Sequence, residues 1–157
     1  MQKINACLWF DGRAEEAARF YVRVFPRAAL GAITHYPPGA PVPAGTALTV
    51  EFTLDGVPFV ALNGGPQFTF NEAVSFVVHC TDQQEVDHLW QQLTADGGAP
   101  GRCGWLKDKF GVSWQVVPVA LERMLREGSA QQVQRVMAAF MPMTRLDIAP
   151  LQRAYDA

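Results

Sequence analysis

The sequence predicts an α+β fold: two strand–helix–strand–strand–strand modules that form a curved mixed sheet cup, with helices outside and further helices at the C-terminal end. Three observations carry this. Several segments alternate apolar and polar residues with the period of two that a half-buried strand needs. Two other segments place apolar residues at helical spacing behind an acidic start. The same order, strand then acidic cap then helix, recurs about 70 residues apart, from Trp9-Phe10-Asp11 to His79-Cys80-Thr81.

In the first module, Ile4 to Phe10 is a strand with Ile4, Ala6, Leu8 and Phe10 on one face and Asn5, Cys7 and Trp9 on the other. Asp11 is a plausible cap for a helix whose first turn holds Glu15 and Glu16, where the helix dipole favours negative charge. Its apolar stripe is Ala14, Ala17, Ala18, Tyr21, Val24 and Phe25, and Pro26 ends it. Ala29 to Tyr36 reads as a strand, and residues 37–45, rich in proline and glycine, as a loop or a flap over a site. Thr46 to Leu54 alternates clearly, Asp55-Gly56 is a hairpin turn, and Val57 to Asn63 returns. On that last strand Val60 and Leu62 are expected toward the helix, with Phe59, Ala61 and Asn63 opposite.

The second module opens with a strand over Ala73 to Cys80. Thr81 with Gln84 reads as a capping box for a helix with Val86, Leu89, Trp90 and Leu93 on its stripe, stopped by Gly97-Gly98. Cys103 to Pro118 is a hairpin turning at Asp108-Lys109-Phe110-Gly111, with Trp114 and Val116 facing one way and Ser113, Gln115 and Val117 the other. Lys107, Asp108 and Lys109 are expected in a solvated turn. After Pro118 come two apolar stripes and a last helix capped by Asp147, an apolar tail that should pack on the body or on a second copy. The whole chain, 1–157, is read as one domain with modules at about 1–66 and 67–118 and a helical tail over 119–157.

With 157 residues, 49% hydrophobic and 18% charged, the chain can bury a sizeable core and is not disordered. A net charge of −2 without a basic run argues against nucleic acid as a partner. Three widely spaced cysteines suit neither a disulfide framework nor a structural zinc site, and fit a reducing compartment. No apolar run is long enough to span a membrane and no signal peptide is visible, so the cytoplasm is expected.

The module plan resembles the vicinal oxygen chelate superfamily, which includes glyoxalase I, bleomycin-resistance proteins and extradiol dioxygenases. The segments Cys7-Leu8-Trp9-Phe10-Asp11-Gly12, Phe59 to Pro66, Phe70 to Val78 and Cys103 to Gln115 resemble its PhnB-like branch, labelled 3-demethylubiquinone-9 3-methyltransferase. The likeness extends to Arg135-Val136-Met137 and Asp147-Ile148-Ala149. A nucleotide-derived methyl donor usually needs a Gly-rich turn between a strand and a helix. Gly64-Gly65-Pro66 follows a strand but leads into Gln67 to Asn71, with no helical pattern, so the label is not expected to describe the chemistry.

What the resemblance implies is a binding cup on the sheet faces away from the helices. Strand parity puts Asn5, Cys7, Trp9, Thr49, Glu51, Phe59, Asn63, Ser75, His79, Ser113 and Gln115 there. Superfamily metal ligands, His or Gln and Glu, sit on the first and last strands of each module, where this chain offers Asn5, Asn63, Ser75 and Gln115. Neutral amides and a hydroxyl bind divalent ions weakly, so no metal ligand and no cofactor is assigned, although a divalent metal remains possible. Glu51 and His79 are the titratable candidates for acid–base catalysis. Trp9, Glu51, Phe59, Asn63, Trp105 and Gln115 are the candidate ligand-binding residues. The expected function is binding of a small organic molecule in a partly apolar cup by a homodimer. The alternative is a metal-dependent isomerase, lyase or dioxygenase acting on vicinal oxygens.

Overall fold

A computed structural model of the chain describes residues 2–157. The backbone divides into two compact units, Met1–Phe70 and Asn71–Ala157, and the C-terminal helices belong to the second.

The first unit runs β1 (Ala6–Phe10), α1 (Ala14–Val24), β2 (Ala28–His35), β3 (Ala47–Leu54) and β4 (Val57–Asn63). Its sheet has the order β1-β4-β3-β2, with β1 and β4 parallel and the other pairs antiparallel. A parallel pair cannot be joined by a tight turn, and α1 with the two middle strands makes the crossover. The helix buries Ala14, Ala17, Ala18, Tyr21 and Val24. The three alanines let its backbone lie close to the sheet, while Tyr21 stacks on Phe52 and Phe52 on Phe59 at 5.8 and 5.2 Å between centroids. At the β3–β4 turn Asp55 and Gly56 both have positive φ, 48° and 78°, as the type I′ hairpin requires.

The second unit repeats this plan. It contains β5 (Ser75–Cys80), α2 (Gln83–Thr94), a 3-10 turn over Ala95–Gly97, and β6 (Ala99–Pro100). Then follow β7 (Trp105–Lys107), β8 (Ser113–Pro118) and the helices α3 (Val119–Glu127), α4 (Ala130–Phe140) and α5 (Ile148–Asp156). The sheet order is β5-β8-β7-β6, again with the first and last strands of the module parallel. The fold is therefore mixed α+β, two four-stranded sheets built from βαβββ modules, as the alternation and the repeat predict.

Two caps and one strand differ from the sequence reading. The cap of α2 is Asp82, which accepts from the Glu85 amide at 2.8 Å. Thr81 instead donates its amide and hydroxyl to Glu85, so the box is displaced by one residue. Asp11 does not cap α1. Asn63 does, reaching from the end of β4 to accept from the Ala14 amide at 2.9 Å. Asp147 caps α5 as expected, accepting from the Ala149 amide.

On β4 the expected parity is reversed. Phe59, Ala61 and Asn63 face α1 and are buried, and Val60 and Leu62 lie on the other face. The strand is apolar on both sides, so alternation could not choose between them. The choice rests on what each side meets: Phe59 pairs across from Phe52, and the buried Asn63 finds hydrogen-bond partners.

The helical tail has a core of its own, formed by Leu121, Met124, Val136, Leu146 and Leu151. Gln83 on α2 fastens it to the rest of this unit, donating to the Leu146 carbonyl at 3.1 Å and accepting from the Ile148 amide at 2.8 Å. The Cys103 and Gly104 amides donate to the Met143 and Thr144 carbonyls. The expectation that the tail packs on the body holds within this unit. Met137 on α4 is 45% exposed.

Candidate functional site

The sheet face of the first unit away from α1 carries Cys7 and Trp9 from β1, Val60 and Leu62 from β4, and Thr49 and Glu51 from β3. The register sets them in rows: Trp9 beside Leu62 beside Thr49, and Cys7 beside Val60 beside Glu51. Trp9 is half-buried. Its indole nitrogen donates to the Gly65 carbonyl at 2.8 Å, and its ring covers Gly64, where an added Cβ would lie 2.4 Å from the ring. Glycine at 64 is thus required by a close approach. Phe68, from the loop after this turn, meets Trp9 edge-on at 4.9 Å and is 66% exposed. Sequence reading missed Phe68 because its loop has no periodicity; the aromatic sequence Phe68-Thr69-Phe70 beside Gly64-Gly65-Pro66 was the available signal.

Glu51 is exposed on this face. Of the fifteen carboxylate residues of the chain, all but Asp11 and Glu51 have a hydrogen-bond or ion-pair partner among the described residues. Cys7 is exposed too, and partial desolvation holds its thiol above the ordinary range, so it is not an activated nucleophile.

Two candidate residues leave the site. Phe59 is a core residue stacked on Phe52. Asn63 is 5% exposed; besides capping α1 it donates to the Ala47 carbonyl at 2.9 Å, and its own carbonyl accepts from the Tyr36 hydroxyl at 2.5 Å. All its polar groups serve the scaffold, which is why an amide can be buried there.

The second sheet places the remaining candidates on its face away from α2. Ser75, Ser113 and Lys107 form one row across β5, β8 and β7, and Val77, Gln115 and Trp105 form the next. Gln115 donates to the Ser75 hydroxyl at 3.0 Å, and Lys107 pairs with Glu72, whose carboxyl it holds below the usual range. His79 is exposed, with Nδ1 3.0 and 3.1 Å from the two carboxylate oxygens of Glu122 on α3. Within the second unit the partner of His79 is therefore Glu122. Ser113 is buried, and its Oγ has no partner among the described residues.

Asp108 is the polar residue that sequence reading misplaced most. It is 2% exposed, not solvated. One carboxylate oxygen accepts from the Phe110 and Val112 amides, and the other accepts from the indole of the buried Trp114 at 2.9 Å. It shapes the β7–β8 turn and anchors the core face of β8. Cys80, on that same core face, is fully buried; burial pushes its thiol up to about 12, with Glu85 and Asp82 adding to the rise.

A divalent metal of the kind the superfamily uses does not fit these residues. Ser75 and Gln115 bond each other, Asn63 is committed to α1, and no group of three His, Cys, Asp or Glu that could hold a metal occurs among the described residues. The Gly-rich turn does not present its amides to a nucleotide-derived methyl donor either, because the Gly64 and Gly65 amides both turn back to the Phe10 carbonyl. No helix among the described residues is long and apolar enough to cross a membrane.

Comparisons agree with the architecture. The family described as 3-demethylubiquinone-9 3-methyltransferase matches residues 2–117. The chain is 35% identical to the PhnB protein of Bacillus cereus, covering 74% of this chain and 99% of that one with a TM-score of 0.69. A protein of Pseudomonas aeruginosa shares the fold at 21% identity, with 75% and 98% covered and a TM-score of 0.59. No curated protein matches. The family match stops before α3, so the likeness expected over residues 135–137 and 147–149 lies outside it. Over its two modules the chain belongs to the family described as 3-demethylubiquinone-9 3-methyltransferase.

Proposed function

We propose that this protein binds a small organic molecule on the first sheet's face away from α1, with Trp9 and Phe68 as its apolar contact. The observation that carries this is the exposed aromatic pair. A phenylalanine two-thirds exposed against a half-buried tryptophan leaves apolar surface in water that a flat ligand would cover. Val60 and Leu62 extend that surface along β4. On the second sheet's face Gln115 bonds Ser75 and Lys107 pairs with Glu72, which supports assigning the ligand to the first. The reading needs no metal, since the donor set is unsuited to one.

The test is ligand-induced stabilisation, because a molecule that binds only the folded chain raises its melting temperature by mass action. Titration with 4-phenylbutanol is expected to raise Tm in the native protein. Phe68→Ala, an exposed position, should leave the unliganded Tm nearly unchanged and remove most of the rise. A rise equal in both proteins would overturn the assignment. The proposal also includes a homodimer working in the cytoplasm, the latter supported by three free cysteines. Light scattering on the eluting full-length chain checks the dimer, and a monomer mass contradicts it.

A further inference from the structure

We infer that the ligand of this face carries a positive charge, and that Glu51 is the residue that recognises it. This inference rests on the binding reading above and adds the chemical class. Its first support is that Glu51 is the one strand carboxylate without a partner among the described residues, while twelve of the other carboxylates outside Asp11 are engaged in elements and turns and Asp108 in the core. The second is the backbone around it. The register of β2 against β3 slips between Leu30 and Ile33, so Gly31 and Ala32 together face Glu51 in a β-bulge. A bulge of this kind bends its strand and interrupts the ladder beside Glu51.

Glycine at 31 is the third support. A Cβ there would lie 3.0 Å from the Glu51 Cβ and 3.2 Å from its carbonyl oxygen. The strand can approach only because no side chain stands beside the carboxylate, and the ground next to it stays clear. That clear ground is part of a depression of about 470 Å³, whose lining includes Gln2, Asn5, Gly31, Glu51, Thr53 and Pro58. Among the described residues of the lining Glu51 supplies the only formal charge, and the Gln2 and Asn5 amides and the Thr53 hydroxyl are neutral.

Trp9 lies two strands from Glu51 and one side-chain row along, a separation of roughly 12 Å from strand spacing and rise. A ligand touching both has an aromatic or apolar body on Trp9 and Phe68 and an ammonium group on a spacer of several methylenes. An amphipathic primary amine has that form.

The test uses three probes of one shape and different charge, 4-phenylbutylamine, 4-phenylbutyrate and 4-phenylbutanol, titrated calorimetrically into the full chain. The amine should bind about fivefold tighter than the acid, the scale of an exposed ion pair. In Glu51→Gln that preference should fall to near unity. Equal binding of all three probes to the native protein overturns the inference and leaves the binding reading standing. An amine preference that survives Glu51→Gln also overturns it. If none of the three binds, both the inference and the reading beneath it fail.

Discussion

The two sheets share one topology but treat their polar groups differently. On the second, the side chains away from the helix are tied together: Gln115 to Ser75, Lys107 to Glu72, and His79 to Glu122. On the first, Glu51 has no partner among the described residues, Cys7 is exposed, and Trp9 and Phe68 leave aromatic surface in water. The difference teaches that a repeated module does not repeat a site. A neutral hydroxyl and amide side by side satisfy each other, whereas a carboxylate that no neighbour on its face reaches remains available. In both units the polar groups that hold the fold, Asn63 and Asp108, lie on the buried side.

The comparison can be broken first at its scaffold residues. Asp108→Ala removes three hydrogen bonds, one to a buried indole, and should destabilise by about 3 kcal/mol in urea unfolding. Glu51→Gln is the matched control and should stay within about 0.5 kcal/mol of the native protein. If the two variants unfold alike, the division between committed and free carboxylates is wrong. Next is Asn63→Ala, which strips the α1 cap and leaves the Ala47 carbonyl unpaired, for an expected loss of about 2 kcal/mol.

Cys80 sharpens the contrast through pH. Its folded thiol titrates near 12 and an unfolded one near about 8.5, so the folded chain holds an extra proton between those values. Stability from the neutral thiol is therefore full below the lower value and lost as pH rises toward the upper. The slope approaches about 1.4 kcal/mol per pH unit within the window. Stability measured from pH 8 to 10 should fall more steeply in the native protein than in Cys80→Ala; identical slopes would contradict the burial assigned to this thiol. The smallest effect is expected for His79→Gln. Its pair with Glu122 is exposed, and the loss should not exceed about 1 kcal/mol at pH 6.

Much of the fold was legible in the residues. Alternation along Ala47–Leu54 and the apolar stripe of α1 placed the first module's core, and the repeat placed the second. Where alternation failed it failed for a physical reason. β4 is apolar on both faces, so the buried side was set by stacking on Phe52 and by the cap that Asn63 supplies, which are tertiary facts. A carboxylate beside two lysines reads as solvated, yet Asp108 has amides two and four residues ahead and an indole six ahead to receive it. Of the candidate site, Trp9 and Glu51 were visible from parity. The availability of Glu51 was not, because it depends on which neighbours fail to reach it.

The central claim is that ligand binds the first sheet's open face and not the second's tied one. Amide and indole chemical-shift mapping of the full chain during titration with 4-phenylbutylamine tests it most directly. Shifts should concentrate at Trp9, Phe68, Leu62 and Glu51, with Ser75, Gln115 and Val117 still. Shifts gathered at Gln115 and Trp105, with Trp9 and Glu51 unmoved, would contradict it.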